Sequence, residues 1–352
     1  MSEPDSEGET MGRPGLEGGI CQPETEFSGA SAAREPAIDR RAIPAAARES
    51  LWHGVDGAPI RRIDIPACAP CGAVRGSLLF MPGRGDCYEK WLETLVHWAR
   101  QGWQVTSADW RGQALSGRLG KDATTGHVED FEPWLTDYAH LWKAWKAGSA
   151  GPHVAVAHSM GGNLALRALA EKRVDPDALV LSAPMLGIHP SHVPARVLRP
   201  VARVIRALGD PARPAWKVNE RPEIVRRARA VLLTHDADRY ADEQAWYEAR
   251  PGLVMGPASW GWIVAALGSI RALEKRGVLE AVKTPVLLIG TSADGLVSWP
   301  AIRRAAQRLP HGELLGFGKE AAHEILREAD PVRDKALARI EDFLNRAAPA
   351  RG

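Results

Sequence analysis

From about Leu51 onward, short runs dense in apolar residues alternate with longer amphipathic stretches. The runs are Gly76–Met81, Trp103–Ala108, His153–Ala157, Ala178–Ser182 and Pro285–Gly290. Apolar residues at successive positions, rather than every second one, mark strands covered on both faces and paired in parallel. The stretches between them carry helical spacing, so the alternation predicts an α/β fold with a mostly parallel central sheet and helices on both faces. Between Ser182 and Thr284 the strand rhythm stops for about a hundred residues of helical character and then resumes. A helical cap inserted over the sheet accounts for the gap. The expected core is 46–186 with 271–352, and the expected cap 187–270. Residues 1–45 are rich in Gly, Pro, Ser and Glu without spaced apolar positions, and are expected to form a disordered leader.

One stretch of the cap is amphipathic in an unusual way. Arg196, Arg199, Arg203 and Arg206 recur at three- and four-residue steps, while Val197, Leu198, Val201, Val204, Ile205 and Leu208 supply an apolar face. Such a helix either packs on its neighbours with its arginines in water, or serves as a lid that meets an anionic lipid surface.

Composition removes several classes of function. Lys and Arg number 45 against 43 Asp and Glu, a formal charge of +2, which gives no broad field for gathering nucleic acid. No apolar run reaches the length of a membrane span, and Met1-Ser2-Glu3-Pro4-Asp5 lacks the features of a signal peptide. The expected location is therefore cytoplasmic, with peripheral contact at the inner membrane face through the cap. Four cysteines, Cys21, Cys68, Cys71 and Cys87, fit a reducing compartment, and Cys68 and Cys71 read as an incidental loop pair rather than half of a zinc site. No metal ligand set and no glycine-rich phosphate cradle is visible, so no cofactor is expected. Nothing in the chain implies an obligate protein partner.

The chemistry concentrates after the strands. Ala157-His158-Ser159-Met160-Gly161 follows one strand and precedes a helix, the setting in which a small-x-Ser-x-Gly nucleophile elbow makes physical sense. A serine hydroxyl needs a base to take its proton, and the base needs a carboxylate to hold its tautomer. Asp294 stands just after the strand ending at Gly290, and His323 follows the apolar Leu314-Leu315-Gly316-Phe317. The order Ser, Asp, His is that of α/β-hydrolases. Asp236 and Asp238 are rival acids, and His158 a rival base that so sharp a turn would aim away from the serine. His127, His158 and Gly83 are candidates for lining the substrate. An oxyanion requires two preorganised N–H donors. Met160 supplies one; Arg84, in the turn Met81-Pro82-Gly83-Arg84-Gly85, is the candidate for the other.

These residues, with Glu89-Lys90-Trp91, Asp109-Trp110-Arg111-Gly112-Gln113-Ala114-Leu115-Ser116, Gly126-His127-Val128 and Gly256-Pro257-Ala258-Ser259-Trp260-Gly261-Trp262, resemble the bacterial lysophospholipase and monoacylglycerol lipase group of α/β-hydrolases. The resemblance runs from about residue 50 to the end. It departs at Ala157 and Ala114, where the family patterns usually carry glycine. It implies Ser159 as nucleophile, Asp294 as acid and His323 as base, acting on carboxylic esters of single-chain lipids through an acyl-enzyme. Asp109 and Arg111 are expected to tie neighbouring loops together. Two other uses of the fold remain open. One is a small-molecule carboxylesterase or an aminopeptidase, for which the cap offers acids including Glu220, Glu223, Asp242 and Glu243. The other is a non-catalytic binding module, against which stands the presence of every triad member.

Overall fold

Eight strands form one sheet in the order β1-β2-β4-β3-β5-β6-β7-β8 in the computed structural model, which describes residues 38–68, 74–189, 195–216 and 229–350. The strands are β1 (Arg48–His53), β2 (Pro59–Ile65), β3 (Gly76–Met81), β4 (Trp103–Ala108), β5 (His153–His158), β6 (Ala178–Ser182), β7 (Val286–Thr291) and β8 (Gly312–Phe317). β2 pairs antiparallel with β1 and β4, and every other pairing is parallel. This is the expected α/β-hydrolase architecture. The five apolar runs are β3 to β7 to within a residue at each end, and every residue of β3, β5, β6 and β7 is buried. Each Leu, Val or Ile withdrawn from water there contributes about 1.5–3 kcal/mol before entropy is counted.

β1 and β2 were not marked by the apolar pattern. Arg48, Glu49, Arg61, Arg62 and Asp64 interrupt it, because this pair forms a sheet margin and only alternate side chains turn inward.

The main helices are α1 (Leu92–Arg100), α2 (Glu132–Ala147), α3 (Ser159–Ala170), α4 (Ala195–Ala207), α5 (Ala237–Ala249), α6 (Trp260–Glu274), α7 (Trp299–Arg308) and α8 (Asp330–Ala347). Three of them, α4 to α6, lie between β6 and β7, where the strand rhythm lapses. The boundary expected between 270 and 271 falls inside α6, a continuous helix packed on both α3 and α4. Residues 1–37 of the expected leader, like Cys21, Cys71, Glu220 and Glu223, lie outside the described residues. The leader boundary at 45 is too late. Arg40 and Arg41 pair with Asp242 of α5, and the Arg40 carbonyl accepts from the Trp246 indole at 2.9 Å.

The arginine-bearing helix α4 sits differently from its simplest amphipathic reading. Val197 is 52% and Val204 58% exposed, and Leu208 just beyond is 80% exposed. Arg199 is turned toward α6, its guanidinium beside Gly268. Among the described residues, no helix is long and apolar enough to cross a membrane.

Candidate active site

β5 passes into α3 with no intervening loop, and the junction residue Ser159 has φ +51°, in the left-handed region. That backbone pushes the hydroxyl away from the sheet edge. It also brings the first turn of α3 against the strand β3 exit. A Cβ on Gly161 would lie 2.4 Å from the Pro82 carbonyl oxygen and 2.7 Å from that of Met81, both backbone atoms, so only glycine fits. Ala157 lies within β5, fully buried, and meets the weaker demand of being small. Ala114, the other departure from the family pattern, has φ +48° and adopts the conformation that glycine would take more cheaply.

The β5–α3 junction and the loops after β7 and β8 bring Ser159, Asp294 and His323 together. His323 Nε2 is 2.9 Å from Ser159 Oγ, and its Nδ1 is 2.7 Å from Asp294 Oδ2. Asp294 Oδ1 accepts from the N–H groups of Leu296 and Val297 at 2.8 and 2.9 Å, which fixes the carboxylate and leaves Oδ2 for the imidazole. Burial opposes the charge on Asp294, but the His323 imidazole and those two N–H groups outweigh it and hold the carboxyl below its ordinary value. Burial likewise opposes the imidazolium of His323, yet the adjacent Asp294 raises its pKa above the ordinary one. Thr291 braces the acid loop, its Oγ1 donating toward the Gly318 and Ala321 carbonyls and accepting from Ala293 N–H. Neither rival acid competes: Asp236 caps α5 and pairs with Arg239, and Asp238 is exposed.

The turn after β3 lies beside the serine. A Cβ on Gly83 would sit 3.2 Å from Ser159 Cβ. Gly83 N–H donates to Asp86 Oδ2 at 3.1 Å and Gly85 N–H to Gln113 Oε1 at 2.6 Å. Between them, the Arg84 N–H has no acceptor among the described residues. The turn is further fixed by the Trp110 indole, which donates to the Pro82 carbonyl at 2.8 Å. Sequence reasoning missed Asp86 and Gln113 as the side chains that shape this turn. Their signal was their place inside or next to the quoted family stretches.

Behind the triad lies a buried charge network, also missed. Lys90 Nζ reaches Glu324 at 2.6 Å, Asp86 at 3.0 Å and Glu243 of α5 at 3.4 Å. Arg327 pairs with Glu324 and Arg229 with Glu243, so three carboxylates face three cations. Burial pushes these carboxyls up, but the cations hold all three below their usual range. The network joins the turn after β3, the segment following His323, and the cap.

His158 is buried between Trp91 and His323, with ring centroids 4.8 Å from each. Burial, opposed by Asp86 at 3.4 Å, lowers its pKa and favours the neutral ring. It stacks on His323, and its own ring nitrogens have no hydrogen-bond partner among the described residues. His127 lies against the start of α6, where Nδ1 is 2.8 Å from Oγ of Ser259, the residue that caps that helix. The family stretches around Gly126 and Ala258 meet here in a short parallel bridge. Asp109 pairs with Arg61 at 3.0 Å, and Arg111 with Asp137 and Asp56 at 2.7 and 2.6 Å, each joining separate elements. Cys68 is exposed. Among the described residues no cluster of three metal-ligating side chains occurs.

Comparison with known proteins places this geometry among hydrolases. The model of the family described as "Serine aminopeptidase, S33" matches residues 72–330. Lysophospholipase L2 of Escherichia coli K12 is 29% identical over 311 residues, covering 85% of this chain and 87% of that protein. A soluble variant of monoglyceride lipase from Saccharomyces cerevisiae, solved with a substrate analogue, superposes with a TM-score of 0.70 over 90% of this chain and 99% of that one, at 17% identity. The monoacylglycerol lipase of Paleococcus ferrophilus superposes with a TM-score of 0.59 at 18% identity, covering 84% of this chain and 99% of that one. The two structural likenesses establish a shared fold.

Proposed function

The chain belongs to the serine aminopeptidase S33 family of hydrolases, and we propose that it is a serine esterase cleaving the carboxylic ester of a single-chain lipid, a lysophospholipid or monoacylglycerol. The observation that carries this reading is the continuous hydrogen-bonded chain Ser159–His323–Asp294, with links of 2.9 and 2.7 Å. Ser159 Oγ attacks the ester carbonyl while His323 Nε2 takes its proton, and Asp294 stabilises the resulting imidazolium. The oxyanion is held by the N–H of Met160, at the first turn of α3, and by that of Arg84; loss of one such donor costs about 2.7–4 kcal/mol of transition-state stabilisation. His323 then protonates the departing alkoxide, leaving an acyl-serine. Water, deprotonated by the same imidazole, attacks the acyl carbon and frees the fatty acid.

The lipid substrate is drawn from similarity to lysophospholipase L2. Two buried carboxylates of the cap, Asp242 and Glu243, are not available to a peptide substrate. An aminopeptidase needs an acid free to hold the substrate's ammonium, whereas Asp242 is paired with Arg40 and Arg41, and Glu243 with Lys90 and Arg229. The exposed Val197, Val204 and Leu208 of the arginine-bearing α4 favour a peripheral encounter with an anionic lipid surface.

The test is fatty-acid release from a panel sharing one acyl chain, comprising lysophospholipid, monoacylglycerol and an acyl amide, by wild type and Ser159→Ala. The reading expects turnover of the lipid esters that falls by about 10⁴-fold or more in Ser159→Ala. Ester turnover that survives the substitution, or turnover of the amide alone, overturns it.

A further inference from the structure

The side chain of the half-buried Arg84 is placed unlike the buried cations of this molecule. Arg61 pairs with Glu89 and Asp109, Arg239 with Glu93, Asp236 and Asp330, and Arg327 with Glu324. Arg84 has no carboxylate partner among the described residues. An arginine carries five N–H donors. Here Nη2 donates to the Gly256 carbonyl at 2.8 Å, and Nε is buried with no acceptor. The guanidinium lies 5.3 Å from the ring centroid of Trp262 and 5.9 Å from that of Trp216. Burial, with the nearby positive charge of Arg229, lowers its pKa to about 10, so it is still a cation at neutral pH.

Its position ties it to the reaction. The Arg84 N–H is one proposed oxyanion donor, and the indole of Trp262 touches the sulfur of Met160, the other donor residue, at 3.4 Å. The guanidinium therefore lies one side-chain length from the oxyanion, on the side where Gly256 and Trp262 of the cap insertion close over the site. A cation partly withdrawn from water, with no carboxylate partner among the described residues, is stabilised when an anion arrives with the ligand. Aromatic faces on two indoles offset part of the cost of that withdrawal but leave the buried Nε donor without a partner.

On the ester-hydrolase reading above, we propose that the Arg84 guanidinium is the subsite for an anionic phosphate on the leaving alcohol, so that the preferred substrate is an acylated glycerol phosphate rather than a neutral acylglycerol. Planar paired donors suit a phosphate oxygen pair better than a single ammonium would. The other anion available to this site is the carboxylate of the released fatty acid, and the two are separable by inhibition.

The full-length enzyme, with Ser159→Ala as the blank, is assayed on 1-oleoylglycerol 3-phosphate and 1-oleoylglycerol in the same neutral detergent micelles. The readout is the ratio of the two kcat/KM values, which a common loss in both does not move. Arg84→Gln is expected to lower that ratio by about tenfold or more, and Arg84→Lys to recover part of it, since a charge-assisted hydrogen bond is lost and then partly replaced. Glycerol 3-phosphate is expected to slow fluorophosphonate labelling of Ser159 in wild type, a measurement that stands if Arg84→Gln does not fold.

An unchanged ratio in folded Arg84→Gln overturns the proposal and leaves Arg84 a structural tie to the cap. Weakened inhibition by oleate with unchanged inhibition by glycerol 3-phosphate overturns it in favour of a product-carboxylate site. Wild type that cleaves 1-oleoylglycerol but not the phosphate-bearing ester overturns this proposal while the esterase reading stands. Absence of Ser159-dependent release from either substrate sinks the esterase reading itself.

Discussion

The His323–Asp294 pair makes opposite demands on stability and on catalysis. The folded His323 pKa is raised above its unfolded value, so its contribution to stability is complete below about 6.5 and is lost as pH rises through the raised folded value. The folded Asp294 pKa is lowered, so its contribution is present above about 3.9 and lost as pH falls through the lowered value. The pair therefore stabilises the fold most in the mildly acidic range. General-base catalysis needs the neutral imidazole, so kcat/KM should rise with pH through an apparent pKa above the ordinary histidine value. Asp294→Asn removes the charge that raises it. It should lower kcat by about 10³–10⁴-fold and move the acid limb of the residual pH–rate profile to lower pH. Profiles of kcat/KM for both proteins on one ester check this. A limb that stays in place would mean that Asp294 does not set the His323 pKa. The same scale shows which departures from a motif matter: Ala157 needs only to be small, whereas a Cβ at Gly161 would strike two backbone carbonyls.

At the level of elements, the candidate site is held by segments that the sheet brings to one edge but does not lock together. Lys90 supplies the lock, because its ammonium joins Asp86 of the β3 turn, Glu324 of the histidine segment and Glu243 of α5. The histidine segment is also stitched to the cap by backbone, with His323 and Glu324 N–H donating to the Leu232 and Leu233 carbonyls at 3.3 and 2.8 Å. Replacing Lys90 by methionine keeps much of the volume and leaves three buried carboxylates facing two cations. Breaking a buried pair in this way costs about 3–5 kcal/mol, so Lys90→Met should lower Tm by about 5 °C or more. Adding Glu243→Gln restores the charge balance and should recover part of the loss, with a coupling of about 1–3 kcal/mol in the double-mutant cycle. Thermal unfolding of the four proteins measures it. Additive losses would show that the three elements are held independently.

Over the whole molecule, what the sequence made legible followed burial. β3 to β7 were readable because both faces are largely covered and most positions are apolar, and Ser159 and Asp294 stood out because each follows such a strand, whereas His323 follows the half-exposed β8. β1 and β2 escaped because, at the sheet margin, their charged residues break the apolar run and find partners on other segments: Arg61 with Asp109 and Glu89, 48 and 28 residues away. The Lys90 network escaped because partners 153 and 234 residues apart leave no periodic trace. Helix α4 was recognised as amphipathic, but which face would turn outward depends on packing against α6 that spacing alone does not encode. In the structure Val197 and Val204 face out with the exposed Arg203 between them, and Leu208 continues the apolar surface. Such an exposed face adds no folding energy, and it gains a use when a second apolar phase is present. If that phase is the surface carrying the lipid substrate, Val197→Asp with Val204→Asp should reduce turnover of ester presented in anionic vesicles by about tenfold, since each buried valine and each added charge shifts partitioning by a kcal/mol or more. Turnover of a freely soluble short-chain ester, which needs no surface, should stay within about twofold, because neither residue packs in the core. Equal loss on both substrates would instead make α4 a structural wall of the cap, and no loss on either would leave its apolar face without a role in catalysis at a lipid surface.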